Sequence, residues 1–128
     1  MVNNNKQAIR IFKTPWFYKV ARKAKISDGE LIKAINQVLI GKVDDLGGGV
    51  YKKRIQDNRY RAIIITKAGG FWIYSYLFAK KDRNNIENDE LEAFRKLAKI
   101  YAKQSADFFD KEIRNGNLVE IKYEQEKI

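Results

Sequence analysis

The stretch VYKKRIQDNRYRAIIITKAGGFWIYSYLF, residues 50–78, decides the fold. It holds three β-rich runs, Val50 to Ile55, Tyr60 to Thr66 and Phe71 to Phe78. Gln56-Asp57-Asn58 and Lys67-Ala68-Gly69-Gly70 separate them, and both are good turn sequences. Runs of this length joined by short polar turns spell an antiparallel meander. Ile63-Ile64-Ile65 and Phe71-Trp72-Ile73 are apolar at both parities, so the central strands are expected to be covered on both sides.

Upstream, Ile9, Ile11 and Phe12 suggest a short opening strand. Thr14-Pro15 then reads as an N-cap and first helical residue, because proline fits where the amide hydrogen has no partner anyway. Trp16, Phe17, Val20, Ala21 and Ala24 recur at helical spacing. Ser27-Asp28-Gly29-Glu30 is a capping box for a second helix, which buries Leu31, Ile32, Ile35, Val38 and Leu39 and stops at Gly41. Gly47-Gly48-Gly49 reads as a flexible lead-in to the first meander strand. Downstream, Asn88 is expected to cap a helix that starts with Asp89-Glu90, its apolar stripe being Leu91, Phe94, Leu97, Ala98 and Tyr101. A shorter helix over Ala106 to Arg114 ends at Asn115-Gly116, and Leu118, Val119 and Ile121 form a last strand. The sum is one α+β domain over residues 1–128, with helices against an antiparallel sheet and loose ends at 1–8 and 122–128.

Composition narrows the chemistry. The chain has 128 residues with no Cys and no His. That rules out disulfides, thiolate zinc sites, cysteine nucleophiles and any Ser-His-Asp triad. The polar start and the lack of a long apolar run favour a cytoplasmic protein with no membrane partner. Charge is uneven: residues 1–83 carry 18 basic and 6 acidic side chains, whereas 84–128 carry 8 and 10. Such a one-signed field attracts polyanions.

Three constellations were weighed. Gly47-Gly48-Gly49 lacks the Lys-Ser/Thr of a phosphate loop and precedes a strand, so nucleotide binding is disfavoured. The acidic residues Asp44-Asp45 and Asp89-Glu90 avoid the cationic meander, which disfavours a metal nuclease, and no metal or cofactor is expected. The informative set lies on the meander. Lys52, Lys53 and Arg54 sit in its first run, Arg59 and Arg61 around the start of the second, and Lys80, Lys81 and Arg83 after the third, with Tyr51 and Tyr60 interleaved. Alternation puts Lys52 and Arg54 on one face, with Tyr51, Lys53 and Ile55 on the other. Like charges facing each other across strands weaken a sheet, so the clustering calls for an anionic counterpart. Cations for phosphates and rings for bases are what a single-stranded RNA site offers. Arginine can stabilise charge on phosphate but is a poor proton carrier. A lysine crowded by other cations has a lowered pKa and can serve as a base.

The patterns Asp44 to Ile55 (DDLGGGVYKKRI), Tyr60-Arg61-Ala62-Ile63-Ile64 and Phe78 to Ile86 (FAKKDRNNI) resemble the RelE-like branch of the RelE/ParE toxin superfamily. The likeness runs over roughly residues 9–121, and its order and spacing carry more weight than any single motif. It implies an N-terminal helical hairpin on a twisted antiparallel sheet. It also implies a type II toxin that cuts translated mRNA on the ribosome by 2′-hydroxyl attack, silenced by a cognate antitoxin. By position, Arg61 matches the arginine that acts on the scissile phosphate. Lys52 and Arg54, with Lys53 beside them, match the basic first strand, where a lysine acts as base, and Lys80 with Lys81 the basic segment after the third. On this reading Lys52, Arg54, Arg61 and Lys80 are catalytic, while Lys53, Arg59, Tyr60, Lys81 and Arg83 bind RNA. Tyr123 is a loose match to a tyrosine near the C-terminus of some relatives. ParE-type members instead inhibit gyrase without catalysis, and a non-toxic nucleic-acid-binding module is a further alternative.

Overall fold

A computed structural model describes residues 9–66 and 70–122. The order of elements is β1 (Arg10–Lys13), α1 (Pro15–Lys23), α2 (Asp28–Leu39), β2 (Asp44–Gly47), β3 (Val50–Ile55), β4 (Tyr60–Thr66), β5 (Phe71–Ala79), α3 (Asn88–Ala102), α4 (Ala106–Arg114) and β6 (Val119–Ile121). The strands form one six-stranded sheet in the order β2-β3-β4-β5-β1-β6. The class is α+β. Among the described residues no helix is long and apolar enough to cross a membrane.

The meander forms as its pattern predicts: β3 pairs antiparallel with β4, and β4 antiparallel with β5. The wholly antiparallel sheet does not. β1 runs parallel to β5, with Arg10 beside Phe71 and Lys13 beside Tyr74, and β6 closes the edge antiparallel to β1. The sheet is therefore mixed. A parallel pair needs a long crossover, and the α1–β4 stretch supplies one, whereas side-chain periodicity carries no information on strand direction. The helical hairpin is likewise not the N-terminal element, because β1 precedes it. The turn at Lys67-Ala68-Gly69 and the residues 1–8 and 123–128, including Tyr123, lie outside the described residues.

Local chemistry sets the helix starts. The Thr14 hydroxyl accepts from the Phe17 amide at 3.1 Å and Pro15 opens α1. Ser27 and Glu30 exchange bonds at 3.1 and 2.9 Å in a full capping box on α2. For α3 the cap is Glu87, not Asn88: the Glu90 carboxylate accepts from the Glu87 amide at 2.6 Å, and Asn88 is already helical. A Glu-x-x-Glu pair mimics the Ser-x-x-Glu box, and asparagine's capping preference hid it.

Helices cover both faces of the sheet. On one face α1 and α2 share a core with it, in which Phe17, Leu31 and Ile35 meet Ile64, Trp72 and Tyr74. The Tyr74 hydroxyl, fully buried, donates to the Leu31 carbonyl at 2.7 Å and ties α2 to the sheet. On the other face Phe12, Ile65, Phe71 and Ile73 pack with Ala98, Phe109 and Leu118. A smaller cluster of Val50, Ile63, Phe78 and Ile86 continues that layer.

The glycine triplet is a tight hairpin rather than a loose lead-in. β2, which no periodicity announced, pairs with β3 through Asp44–Lys52 and Gly47–Val50, leaving Gly48 and Gly49 as a two-residue turn. Both have positive φ, +66° and +87°, as a primed hairpin turn requires. α3 clamps the turn: Arg95 donates to the carbonyls of Leu46 and Gly47. A β-carbon on Gly49 would lie 2.8 Å from the Thr66 carbonyl oxygen, whereas one on Gly41 (φ +91°) meets nothing within 4 Å. Gly49→Ala is therefore expected to cost about 1–3 kcal/mol. Urea unfolding should show a loss larger than that of Gly41→Ala, and equal losses would refute the close-packed hairpin.

Candidate functional site

β4 is buried from Arg61 to Thr66. Its charged residue, Arg61, sits near the start, on the face shared with Val50 and Ile63. Arg61 lies directly opposite Arg54 on β3, and opposite Phe78 on β5. Facing side chains on adjacent strands have β-carbons about 4.5–5.5 Å apart, so the two arginine stems start side by side. Lys52 is two residues from Arg54 and on the same face. Lys52, Arg54 and Arg61 are thus brought together.

Arg61 is only 8% exposed. Its Nη1 donates to the Asn58 carbonyl at 3.0 Å and the Tyr60 carbonyl at 3.4 Å. The first belongs to the β3–β4 turn, where Gln56, Asp57 and Asn58 all have left-handed φ of 56°, 53° and 72°, and the second to the first residue of β4. The Gln56 side chain anchors the turn by donating to the Lys25 carbonyl at 3.2 Å. Among the described residues neither Arg54 nor Arg61 has a carboxylate partner, while Lys52 Nζ stands 3.9 Å from Asp44 Oδ2, a long pair between a mostly buried lysine and an exposed carboxylate.

Lys80 follows β5, and its amide donates to the Arg59 carbonyl at 2.8 Å, extending the ladder past Tyr60–Ala79. Arg59, Lys80 and Lys81 line an open groove of about 640 Å³ beside the turn. Asp57, Asn58, Tyr60 and Ala79 complete its lining, and neither Arg54 nor Arg61 is part of it. Tyr60 alternates to the opposite face and packs against the α1–α2 core.

Two predicted RNA contacts are spent elsewhere. Lys53 is 7% exposed, on the face opposite Lys52, and its amine donates to the Lys42 carbonyl at 2.9 Å. Burial, then repulsion from Lys42 and Arg54, lowers its pKa below the ordinary lysine value. The structure thus puts the lowered lysine on the face away from the arginine pair. Arg83 lies over the Phe78 ring at 5.5 Å, yet it donates to Glu90 at 2.6 and 3.3 Å and to the Tyr76 hydroxyl at 3.3 Å. The Glu90 carboxylate, bonded by Arg83 and the Glu87 amide, has a lowered pKa. Arg83 fastens the loop after β5 to α3.

Sequence reasoning missed Trp16 at this end of the sheet. Read as part of the α1 stripe, it is 47% exposed and stacks on Tyr76 with centroids 5.0 Å apart. The signal was available: Phe17, Val20, Ala21 and Ala24 already complete an i, i+3, i+4, i+7 stripe, which leaves Trp16 at its margin. Among the described residues, no group of three acidic side chains could hold a metal ion.

A guanidinium pair with a lysine alongside can bind two oxygens of a phosphodiester and stabilise extra charge on it. Fold and site together define a small α+β protein with one cationic, carboxylate-poor sheet end. The family model described as the RelE toxin of the RelE/RelB toxin–antitoxin system matches residues 9–121, and the chain belongs to that family. Comparison with curated proteins and with solved structures finds no significant match. Membership makes the chain a toxin-antitoxin system toxin, with a cognate antitoxin as its partner.

The position of Lys53 has a measurable consequence. With its pKa lowered in the folded state and near 10.5 when unfolded, the unfolded chain binds more protons between those values. Stability therefore gains from this group as pH rises through that window. Urea melts from pH 7 to 10 should show wild type gaining on Lys53→Met as pH increases. A pH-independent difference would mean the amine is not desolvated.

Proposed function

We propose that this toxin is a ribosome-dependent endoribonuclease that cuts translated mRNA in the cytoplasm. The observation that carries the reading is the Arg54–Arg61 pair, two arginines directly opposite on adjacent strands with no carboxylate partner among the described residues. A folded sheet tolerates such a pair most readily where an anion completes it, and a phosphodiester matches its charge and geometry.

In this mechanism Arg54 and Arg61 hold the non-bridging oxygens of the scissile phosphate. Lys52 or Lys80 takes the proton from the 2′-hydroxyl. The 2′-oxygen then attacks phosphorus, and the arginines offset the charge that grows on the phosphorane. The P–O5′ bond breaks, and the departing oxygen takes a proton from a lysine ammonium or from solvent. The products are a 2′,3′-cyclic phosphate and a 5′-hydroxyl. The cations meet the charge that a metal would otherwise meet. Arg59 and Lys81 hold flanking phosphates, and the antitoxin silences the site by laying acidic side chains over the same end.

Induced expression should halt growth, and Arg61→Ala should relieve the arrest while the chain stays folded. Primer extension on cellular messages should find new ends inside translated codons, lost in Arg61→Ala with a drop of at least about a hundredfold in cleavage. Arrest with intact messages and damaged DNA would instead indicate inhibition of gyrase. Harmless expression with salt-sensitive RNA binding would indicate a non-toxic binding module.

A further inference from the structure

We infer that Trp16 is a base-stacking residue, which receives a nucleobase of single-stranded RNA beside the Arg54–Arg61 phosphate site. The inference rests on the RNA reading of that site and adds to it a subsite supplied by a different element.

The topology creates the position. β1 stops at Lys13, beside Tyr74, and the Thr14 amide makes the last bond to the Tyr74 carbonyl at 3.0 Å. Pro15 then turns the chain into α1, so the edge of β5 beyond Tyr74 has no strand beside it. Phe17 dives into the α1–α2 core, whereas Trp16 reaches round the edge to the opposite face. It lands on Tyr76 nearly parallel, at 19°.

Tyr76 is a fixed floor for that ring. It packs between Phe78 at 6.0 Å and Phe94 at 6.2 Å, and its hydroxyl accepts from Arg83. Trp16 has no other ring contact among the described residues and is 47% exposed, so its outer face is open. Phe78 is the direct neighbour of Arg61, and Tyr76 lies two residues further along β5. Two residues of strand rise and one cross-strand step separate the Tyr76 and Arg61 backbones by roughly 8 Å, and the Trp16 ring lies one stacking distance beyond Tyr76, so a nucleotide or two spans the gap. A flat ring held in place beside unpaired cations offers both halves of a single-strand site, and stacking tolerates any base. An acidic protein segment would need separate acidic and apolar side chains to meet the cations and the ring, whereas each nucleotide of single-stranded RNA carries a phosphate and a flat base together.

The test uses the purified full-length chain and a hexaribonucleotide carrying 2′-O-methyl groups, which the 2′-hydroxyl mechanism cannot cut. The only other tryptophan, Trp72, is 4% exposed. Saturable quenching by RNA thus reports on Trp16. We expect quenching by the oligonucleotide, none by inorganic polyphosphate, and no quenching in Trp16→Phe. In anisotropy titrations with labelled RNA, Trp16→Ala should bind about tenfold more weakly, while Trp16→Phe stays within about threefold of wild type. Trp16→Leu, which keeps apolar cover without a ring, replaces the alanine variant should that one fail to fold.

Unquenched fluorescence, equal quenching by polyphosphate, or wild-type affinity in the alanine or leucine variant would overturn the inference. So would quenching by an antitoxin peptide but not by RNA. Cleavage on ribosomes is read separately. Quenching without cleavage would sink the nuclease reading alone, and cleavage without quenching would sink the stacking residue alone.

Discussion

Strand β4 lies between two helical layers, so from Arg61 to Thr66 its side chains are buried whichever way they point. Ile64 enters the core beneath α1 and α2, and Ile63 and Ile65 enter the clusters on the other side. A strand confined in this way can carry charge only near an end, where a guanidinium can still find oxygen. Arg61 stands there. Its buried charge is met by two backbone carbonyls rather than by a carboxylate. Carbonyl dipoles satisfy donors without cancelling the net charge, so the site keeps its positive field.

The turn that supplies the Asn58 carbonyl is itself under strain. Three successive non-glycine residues in the left-handed region cost of order 1 kcal/mol apiece. Arg61 helps hold the turn from one side. Gln56 holds it from the other by bonding the Lys25 carbonyl at the junction of α1 and α2. The arginine thus orders the loop that orients it, and the loop is anchored to the helical hairpin. Strain of this kind persists where surrounding contacts over-determine it, and it tends to collect at working sites.

Much of this was legible in the sequence, for definite reasons. Alternation and turn residues over 50–78 fix the meander, and from it the placing of Lys52 and Arg54 on one face follows directly. Thr14-Pro15 and the Ser27–Glu30 box mark helix starts because their bonds are local. What stayed hidden depends on partners distant in the chain. Whether β1 runs parallel or antiparallel to β5 leaves no mark on Arg10 to Lys13. β2 is too short and too acidic to look like a strand, and it exists because Gly48-Gly49 allow a hairpin under Arg95. Whether a lysine meets solvent or the carbonyl of Lys42 is likewise a tertiary fact.

The cations also sort themselves in a way that composition cannot. Arg10 is consumed by Glu120 and Asp110, Lys13 by Asp28, and Arg83 by Glu90. Lys53 is consumed by a backbone oxygen. These hold the termini, the hairpin and α3 to the sheet, and they account for part of the positive excess in residues 1–83. Of the cations left, Arg54, Arg59, Arg61, Lys80 and Lys81 have no carboxylate partner among the described residues and lie where β3 turns into β4 and β5 ends, while Lys19, Arg22, Lys23, Lys25 and Lys33 line the helical hairpin. Excess charge spread over a surface would serve solubility alone. What sets the sheet end apart is that two of its arginines are direct partners across adjacent strands. The aromatic ring held parallel to Tyr76 at that same end gives the corner a second kind of contact, which cations alone do not provide.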